Sequence, residues 1–365
     1  MNLRFERLFS LLSTGTLLLV SLAGHAAGFD CAKATSVTEK AICADKELSA
    51  LDSELAFVWQ KISGFDPAAM KSSQLQWLKL RDACGADASC LRSRYNERLD
   101  VLHNMQFPVG ADQAGNRLEA LIAESTDADA RRCTADKQFC VRILRDESYD
   151  STPLIQIDYA GANPATYDFT LPDPRRDDET PWWPRVSAVL WPRVLRLAGD
   201  QSTILVGAGY SEQWGYSGGG GSALELRLFR VSRKGDTFRA REVLSVPIEG
   251  SLMIRACFSG ESKQEAARYL FGACHDLYDF NATLGLDRTV KSGFPRLVYQ
   301  TRATSFPGKV SRNKDSLAMP PLRKRDVVTV VDPHCTYKRT FQLKKITGVY
   351  VPDKPLPDCG NYLDP

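Results

Sequence analysis

The sequence is poor in the residues that most often carry metal or nucleotide chemistry. It has four histidines in 365 residues, and none stands in a His-x-x-x-His pair, so a zinc-hydrolase reading has no spacing to rest on. Its ten cysteines include no Cys-x-x-Cys pair, which leaves a structural zinc site without its usual ligand arrangement. No glycine loop ends in the lysine that would cradle a phosphate. No cofactor and no metal are expected. An excess of one charge is missing too: 47 Lys and Arg stand against 44 Asp and Glu, a net charge of +3. That balance is too even to imply a polyanion, so no nucleic-acid partner is expected. After residue 22 no stretch approaches the roughly 20 apolar residues of a membrane-spanning helix.

What is present begins with an export signal. Arg4 and Arg7 precede an apolar run from Leu8 to Leu22, and small residues around Gly24 and Ala26 suit a signal peptidase. Residues 1–26 read as a signal peptide, and the mature chain as periplasmic or secreted with no transmembrane segment. All ten cysteines follow it, at Cys31, Cys43, Cys84, Cys90, Cys133, Cys140, Cys257, Cys274, Cys335 and Cys359. An even number in an exported chain implies disulfides. Their local grouping suggests Cys133 with Cys140, Cys257 with Cys274 and Cys335 with Cys359. The first four allow three connectivities, and pairing Cys43 with Cys84 or Cys90 would tie the N-terminal strap to a helical hairpin. An ordinary content of 43% hydrophobic and 25% charged residues supplies material for a real core.

Residues 28–105 carry helical signals. Ser36-Val37-Thr38-Glu39 has capping-box form. Leu48, Leu51, Leu55, Val58 and Ile62 recur at spacings of three and four, on one face of a helix that Gly64 stops. Asp66-Pro67 opens another helix through Gln74, Trp77 and Arg81, and Leu91, Tyr95, Leu99 and Leu102 form a last stripe. Helices this short bury too little to be stable alone, so covalent staples make physical sense.

This segment resembles the N-terminal domain of the LprI-type lysozyme inhibitor family. The match rests on Phe29-Asp30-Cys31-Ala32-Lys33-Ala34, on Glu39-Lys40-Ala41-Ile42-Cys43-Ala44-Asp45 leading into Leu48-Ser49-Ala50-Leu51-Asp52, and on Gln74-Leu75-Gln76-Trp77-Leu78-Lys79 followed by Arg81-Asp82-Ala83-Cys84 and Cys90-Leu91. The resemblance covers about residues 29–102. It implies an exported binding protein, not an enzyme, that inhibits lysozyme or another peptidoglycan hydrolase by occluding its cleft. The namesake inhibitors are lipid-anchored, whereas an acylation signal is not apparent here. Ten Lys and Arg against eleven Asp and Glu in residues 28–105 provide little long-range steering toward a basic enzyme. Trp77 is read first as filling the hairpin core and Arg81 as pairing with Asp82 or Asp52, since a small domain needs its large aromatic inside, and only second are the two candidate contacts with the target.

Residues 106–150 read as a connector with a helical start from Ala114 to Ser125 and a small loop closed by Cys133 and Cys140. From about residue 151 the pattern turns to strands: Leu154–Ile157, Thr203–Val206, Leu224–Leu228, Val327–Val331 and Thr340–Leu343. The fold class is α+β, with a small disulfide-stapled helical domain followed by a larger, mainly antiparallel β domain, residues 151–365, built as a sandwich or open barrel. Gly215-Tyr216-Ser217-Gly218-Gly219 formally matches a nucleophile elbow, the basis of a serine-hydrolase alternative, but a strand rather than a helix is expected after it. Tyr210, Trp214 and Tyr216 lie in a glycine-rich hairpin loop from Gly207 to Ser222, where they either contact a glycan or protein partner or fold back on the sheet. Trp182-Trp183-Pro184 and Trp191 are expected beneath the sheet. Residues 302–345 hold eleven Lys and Arg against three acids, a solvated face or a contact for anionic envelope polymer. A β domain that recognises envelope glycan or another protein is the main alternative function.

Overall fold

The computed structural model describes residues 27–125, 130–144, 153–160, 164–171, 185–234, 237–257, 262–308 and 310–364. The expected signal peptide and Trp182-Trp183-Pro184 lie outside these residues. The chain forms two compact units. One draws on residues up to Phe57 with Gln76–Asn96, the other on Val58–Leu75 with Glu97–Pro365.

The sequence periodicities place four helices: α1 (Val37–Ala44), α2 (Lys46–Ile62), α3 (Pro67–Asp82) and α4 (Ala88–Gln106). Ser36 caps α1 as predicted, its Oγ accepting from the Glu39 amide while the Glu39 carboxylate accepts from the Ser36 amide. Asp66 accepts from the Ala69 amide ahead of Pro67, so α3 begins where a cap followed by proline requires. Leu48, Leu55, Val58 and Ile62 are buried on α2, but Leu51 is only half-buried and Asp52 beside it is buried instead.

Apart from the stretches of α2, α3 and α4 that it takes in, the larger unit is mainly antiparallel sheet. Its strands in chain order are β1 (Gly110–Ala111), β2 (Arg117–Ala120), β3 (Ile122–Ala123), β4 (Arg132–Cys133), β5 (Phe139–Leu144), β6 (Leu154–Tyr159), β7 (Ala165–Thr170), β8 (Arg185–Leu190), β9 (Arg193–Leu197), β10 (Asp200–Tyr216), β11 (Gly219–Lys234), β12 (Thr237–Ile254), β13 (Asp276–Leu286), β14 (Leu297–Phe306), β15 (Val330–Val331), β16 (Lys338–Leu343) and β17 (Tyr350–Pro352). Short helices α5 (Lys263–Leu270) and α6 (Gly360–Leu363) complete it. A twelve-stranded sheet runs β1-β2-β9-β10-β11-β12-β13-β14-β16-β17, with β8 also on β10 and β15 on β14. A five-stranded sheet takes β3 to β7 in order.

Residues 203–210 of the central strand β10 are buried on both faces, which explains why Thr203-Ile204-Leu205-Val206 reads as a continuous apolar run rather than an alternation. Ile204, Val206 and Ala208 share a core with Phe139, Val141, Ile143, Ile155 and Ile157 of the small sheet. Leu205 belongs to the opposite core with Leu226, Leu228, Val246, Phe280 and Tyr299. Two irregularities in β12 leave Val243 and Ile248 unpaired opposite β11. Such bulges bend and twist a strand, and the sheet curls until Asn116 of the β1–β2 connection donates to the Gly293 carbonyl at 3.0 Å, ahead of β14. The strands do not close into a barrel.

Two expectations are corrected. Residues 114–125 contain no helix: Gly115, at φ +92°, turns the chain, and Arg117–Ala120 pairs with β9 while burying Leu118 in strand alternation. Of Val327–Val331 only Val330 and Val331 form a strand, and both are exposed, so β-branched composition there outruns the partner strand available.

Arg268 and Asp276 are both buried. The Asp276 carboxylate accepts from Arg268 at 2.9 Å, from Arg255 at 2.9 Å and from the Ser316 hydroxyl. Removing one member of a buried charge group leaves the other uncompensated. Asp276→Ala is expected to cost about 3–5 kcal/mol in urea unfolding; a loss below about 1 kcal/mol would contradict this assignment.

Candidate functional site in the helical unit

Asp52 is the organising side chain of the smaller unit. Its Oδ1 accepts from the Tyr95 hydroxyl at 2.6 Å and its Oδ2 from the Gly28 amide at 2.9 Å. One carboxylate therefore joins the N-terminal strap, α2 and α4. Gly28 approaches so closely that a Cβ there would lie 2.7 Å from the Ala56 Cβ. Burial, then the hydrogen bond to the Asp52 carboxylate, raises the Tyr95 hydroxyl above its ordinary tyrosine value. Trp77 packs edge-on against Tyr95 with ring centroids 5.3 Å apart, and its indole N–H donates to the Arg94 carbonyl at 3.0 Å.

A second polar link lies nearer the surface. Asp45 caps α2 by accepting from the Glu47 and Leu48 amides and also accepts from Arg92 at 2.7 Å, while Arg92 donates to Glu47 at 2.6 Å. The disulfides of this unit are Cys31–Cys43 and Cys84–Cys90. Of the three connectivities the sequence leaves open, this is the local one, and no bridge runs from Cys43 to Cys84 or Cys90. Each bridge closes a short local loop, the first fixing the strap to α1 and the second fixing the turn between α3 and α4. The remaining bridges, Cys133–Cys140, Cys257–Cys274 and Cys335–Cys359, follow the predicted local pairs.

Trp77 takes the core position read first for it, at 7% exposure. Arg81 donates to Asp82 at 2.9 and 2.7 Å rather than to Asp52, and its guanidinium lies 5.4 Å from the Trp77 ring centre. Gly207 to Ser222 is two long strands joined by a two-residue turn at Ser217-Gly218, not an extended loop. Its three aromatics have different fates. Tyr210 is buried beneath the Arg227 guanidinium, 4.5 Å from the ring centre. Trp214 is half-buried against the core, lying so flat on β11 that a Cβ at Gly221 would meet its ring at 2.8 Å. Tyr216, at 51% exposure, stands at the turn. Ser217 passes directly into β11, so the strand-to-helix geometry of a nucleophile elbow is absent there. Trp191 is buried, as expected. Among the described residues, Glu124, Cys133 and Cys140 bring potential ligand atoms within 4.8 Å, but both sulfurs belong to a disulfide.

The comparisons bear on the helical segment. Residues 31–106 match the family model described as Lysozyme inhibitor LprI. The match runs from the first cysteine to the end of α4. Similar curated proteins include Lipoprotein LprI of Mycobacterium bovis and Lipoprotein LprI of Mycobacterium tuberculosis, each 32% identical over 74 residues, covering 19% of this chain and 38% of the relative. The chain thus spans 38% of the length of these curated relatives. No solved structure is a significant match. Among the described residues no helix is long and apolar enough to cross a membrane.

Sequence reasoning offered Asp52 only as a partner for Arg81 and overlooked its link between Gly28 and Tyr95. The signal was present, since Asp52 falls four residues after Leu48 and three before Leu55, on the apolar face of α2. Tyr95→Phe should lower stability by about 1–3 kcal/mol at neutral pH, because it leaves a buried carboxylate oxygen without its donor. The sign of the pH dependence follows from a hydroxyl whose folded value is raised. Its contribution is complete below the unfolded tyrosine value and fades as pH rises beyond it. Urea unfolding of both proteins should therefore show a difference that narrows above about pH 10; a difference that widens there would contradict the Tyr95–Asp52 assignment.

Proposed function

We propose that the chain is an exported envelope protein whose helical segment binds lysozyme or a related peptidoglycan hydrolase and inhibits it by covering its cleft. The observation that carries this reading is the LprI match over residues 31–106. The organised Gly28–Asp52–Tyr95 core supports a rigid module, since a shape held before binding loses less entropy on contact. Five disulfides fit an oxidising compartment, periplasmic or extracellular. In this reading Trp77 and Arg81 maintain the shape of the contact surface, and the protein blocks its target without doing chemistry.

A second reading gives the β unit a recognition role of its own, for envelope glycan or another protein. It is favoured by the hairpin tip, where Tyr216 at 51% and Met253 at 43% exposure offer apolar surface. Of the β-hairpin aromatics, Tyr216 is the most available for such a contact, with Trp214 behind it.

The oxidised mature protein, titrated into lysozymes of several classes during peptidoglycan lysis, should inhibit at least one of them stoichiometrically. Tyr216→Ala should leave that inhibition within about twofold, as expected for a side chain outside the contact. Absence of both binding and inhibition across the panel would overturn the inhibitor reading. Loss of target binding in Tyr216→Ala would move the contact to the β unit.

A further inference from the structure

The β-branched run Val327-Val328-Thr329-Val330-Val331 has a strand on one side only. The Asp332 amide donates to the Ala303 carbonyl at 2.9 Å, and Ser305 and Thr304 of β14 stand opposite Val330 and Val331. Bonded residues alternate along an antiparallel pair, so the amide and carbonyl of Val331, next to Asp332, point away from β14. Among the described residues no strand meets them there. Val328, Val330 and Val331 are exposed, at 47%, 43% and 43%, and Thr329 is exposed with them. Proteins commonly blunt such an edge with a charge or a proline. Neither stands between Asp326 and Asp332.

The flanks narrow the kind of strand that fits. Arg323, Lys324 and Arg325, all exposed, lie at the helical turn immediately ahead of the run. Asp326 is buried and accepts from the Arg323 amide at 3.1 Å, so three cations stand against this one acid. At the far end Asp332 accepts from the His334 amide and the Tyr362 hydroxyl, and a second carboxylate is disfavoured there. The strands β12 to β15 pair antiparallel. A strand added in the same way runs opposite to the edge and sets its carboxy-terminal half beside the basic turn. A second copy of this chain is a poor match, because residues 302–345 carry eleven Lys and Arg against three acids and like charges across a strand pair repel.

We infer that the 327–331 edge takes up an extended segment of a partner protein, antiparallel, in which β-branched residues are followed by acidic ones. Main-chain hydrogen bonds supply the affinity, and the basic turn sets the direction. The inference does not rest on the inhibitor reading, and no lysozyme enters its test. A fluorescein-labelled peptide amide, Thr-Val-Thr-Val-Glu-Glu-Glu, is titrated with the full oxidised mature chain and followed by fluorescence anisotropy. Saturable one-to-one binding is expected, weakening as salt screens the charges. The same peptide with proline for both valines keeps its charge but loses the donors for strand pairing, and should bind at least about tenfold more weakly. Val331→Pro removes the outward amide while leaving the Asp332 bond to β14 in place, and should weaken binding at least about fivefold. Arg323→Ala/Lys324→Ala/Arg325→Ala should weaken it similarly and flatten its salt dependence. These three side chains are exposed, so their replacement tests the edge even where Val331→Pro disturbs the strand. No binding at about 1 mM would overturn the proposal. Equal affinity for the proline peptide would do so as well, since charge alone would then account for binding, as with an anionic polymer. So would a dimer of the free chain that Val331→Pro dissolves, which would make the edge an interface between copies.

Discussion

The smaller unit depends on a buried carboxylate accepting from two distant parts of the chain. Asp52 receives the Gly28 amide and the Tyr95 hydroxyl, and the Trp77 ring lies edge-on against that tyrosine. A carboxylate at 7% exposure is tolerable only while its oxygens are satisfied, so the positions of the strap and helices are coupled through it. The two disulfides have a different task. They stiffen a strap and a turn locally, while the assembly of the helices rests on Asp52 and on the packing of Ile42, Leu48, Leu55, Leu91 and Tyr95.

In the larger unit the governing constraint is a central ribbon with both faces covered. The 17, 16 and 18 residues of β10, β11 and β12 give the ribbon its length. The small sheet shields one face, and the curl of the large sheet encloses the other. Charged groups are admitted where they are paired, as at Arg268 and Asp276, or where an arginine side chain covers an aromatic, as Arg227 covers Tyr210.

Much of this was legible in residue order because the signals are local. The Ser36 cap, the Asp66-Pro67 start and the four-residue stripes of α2 and α4 all depend on neighbours within one or two turns. All five disulfides close between neighbouring cysteines in the chain, and three of these pairs were expected. Failures arose where distant chain segments decide the outcome. Residues 117–120 become a strand because β9 pairs with them, information absent from their own composition. Tyr210, Trp214 and Tyr216 alternate onto one face of one glycine-rich strand, yet what packs over β10 changes along its length and leaves them buried, half-buried and exposed. The Asp52 anchor was visible as a misplaced charge on an apolar face, but its partners, 24 and 43 residues away, were not.

In the proposed function the helical segment recognises the target and holds a fixed shape in advance of binding. Hydrogen exchange followed by mass spectrometry, on the free protein and on the protein saturated with a lysozyme that it inhibits, tests this most directly. New protection is predicted in residues 27–57 and 76–96, with exchange in β10–β12 unchanged. Protection confined to the β strands, or none in the helices, would contradict it.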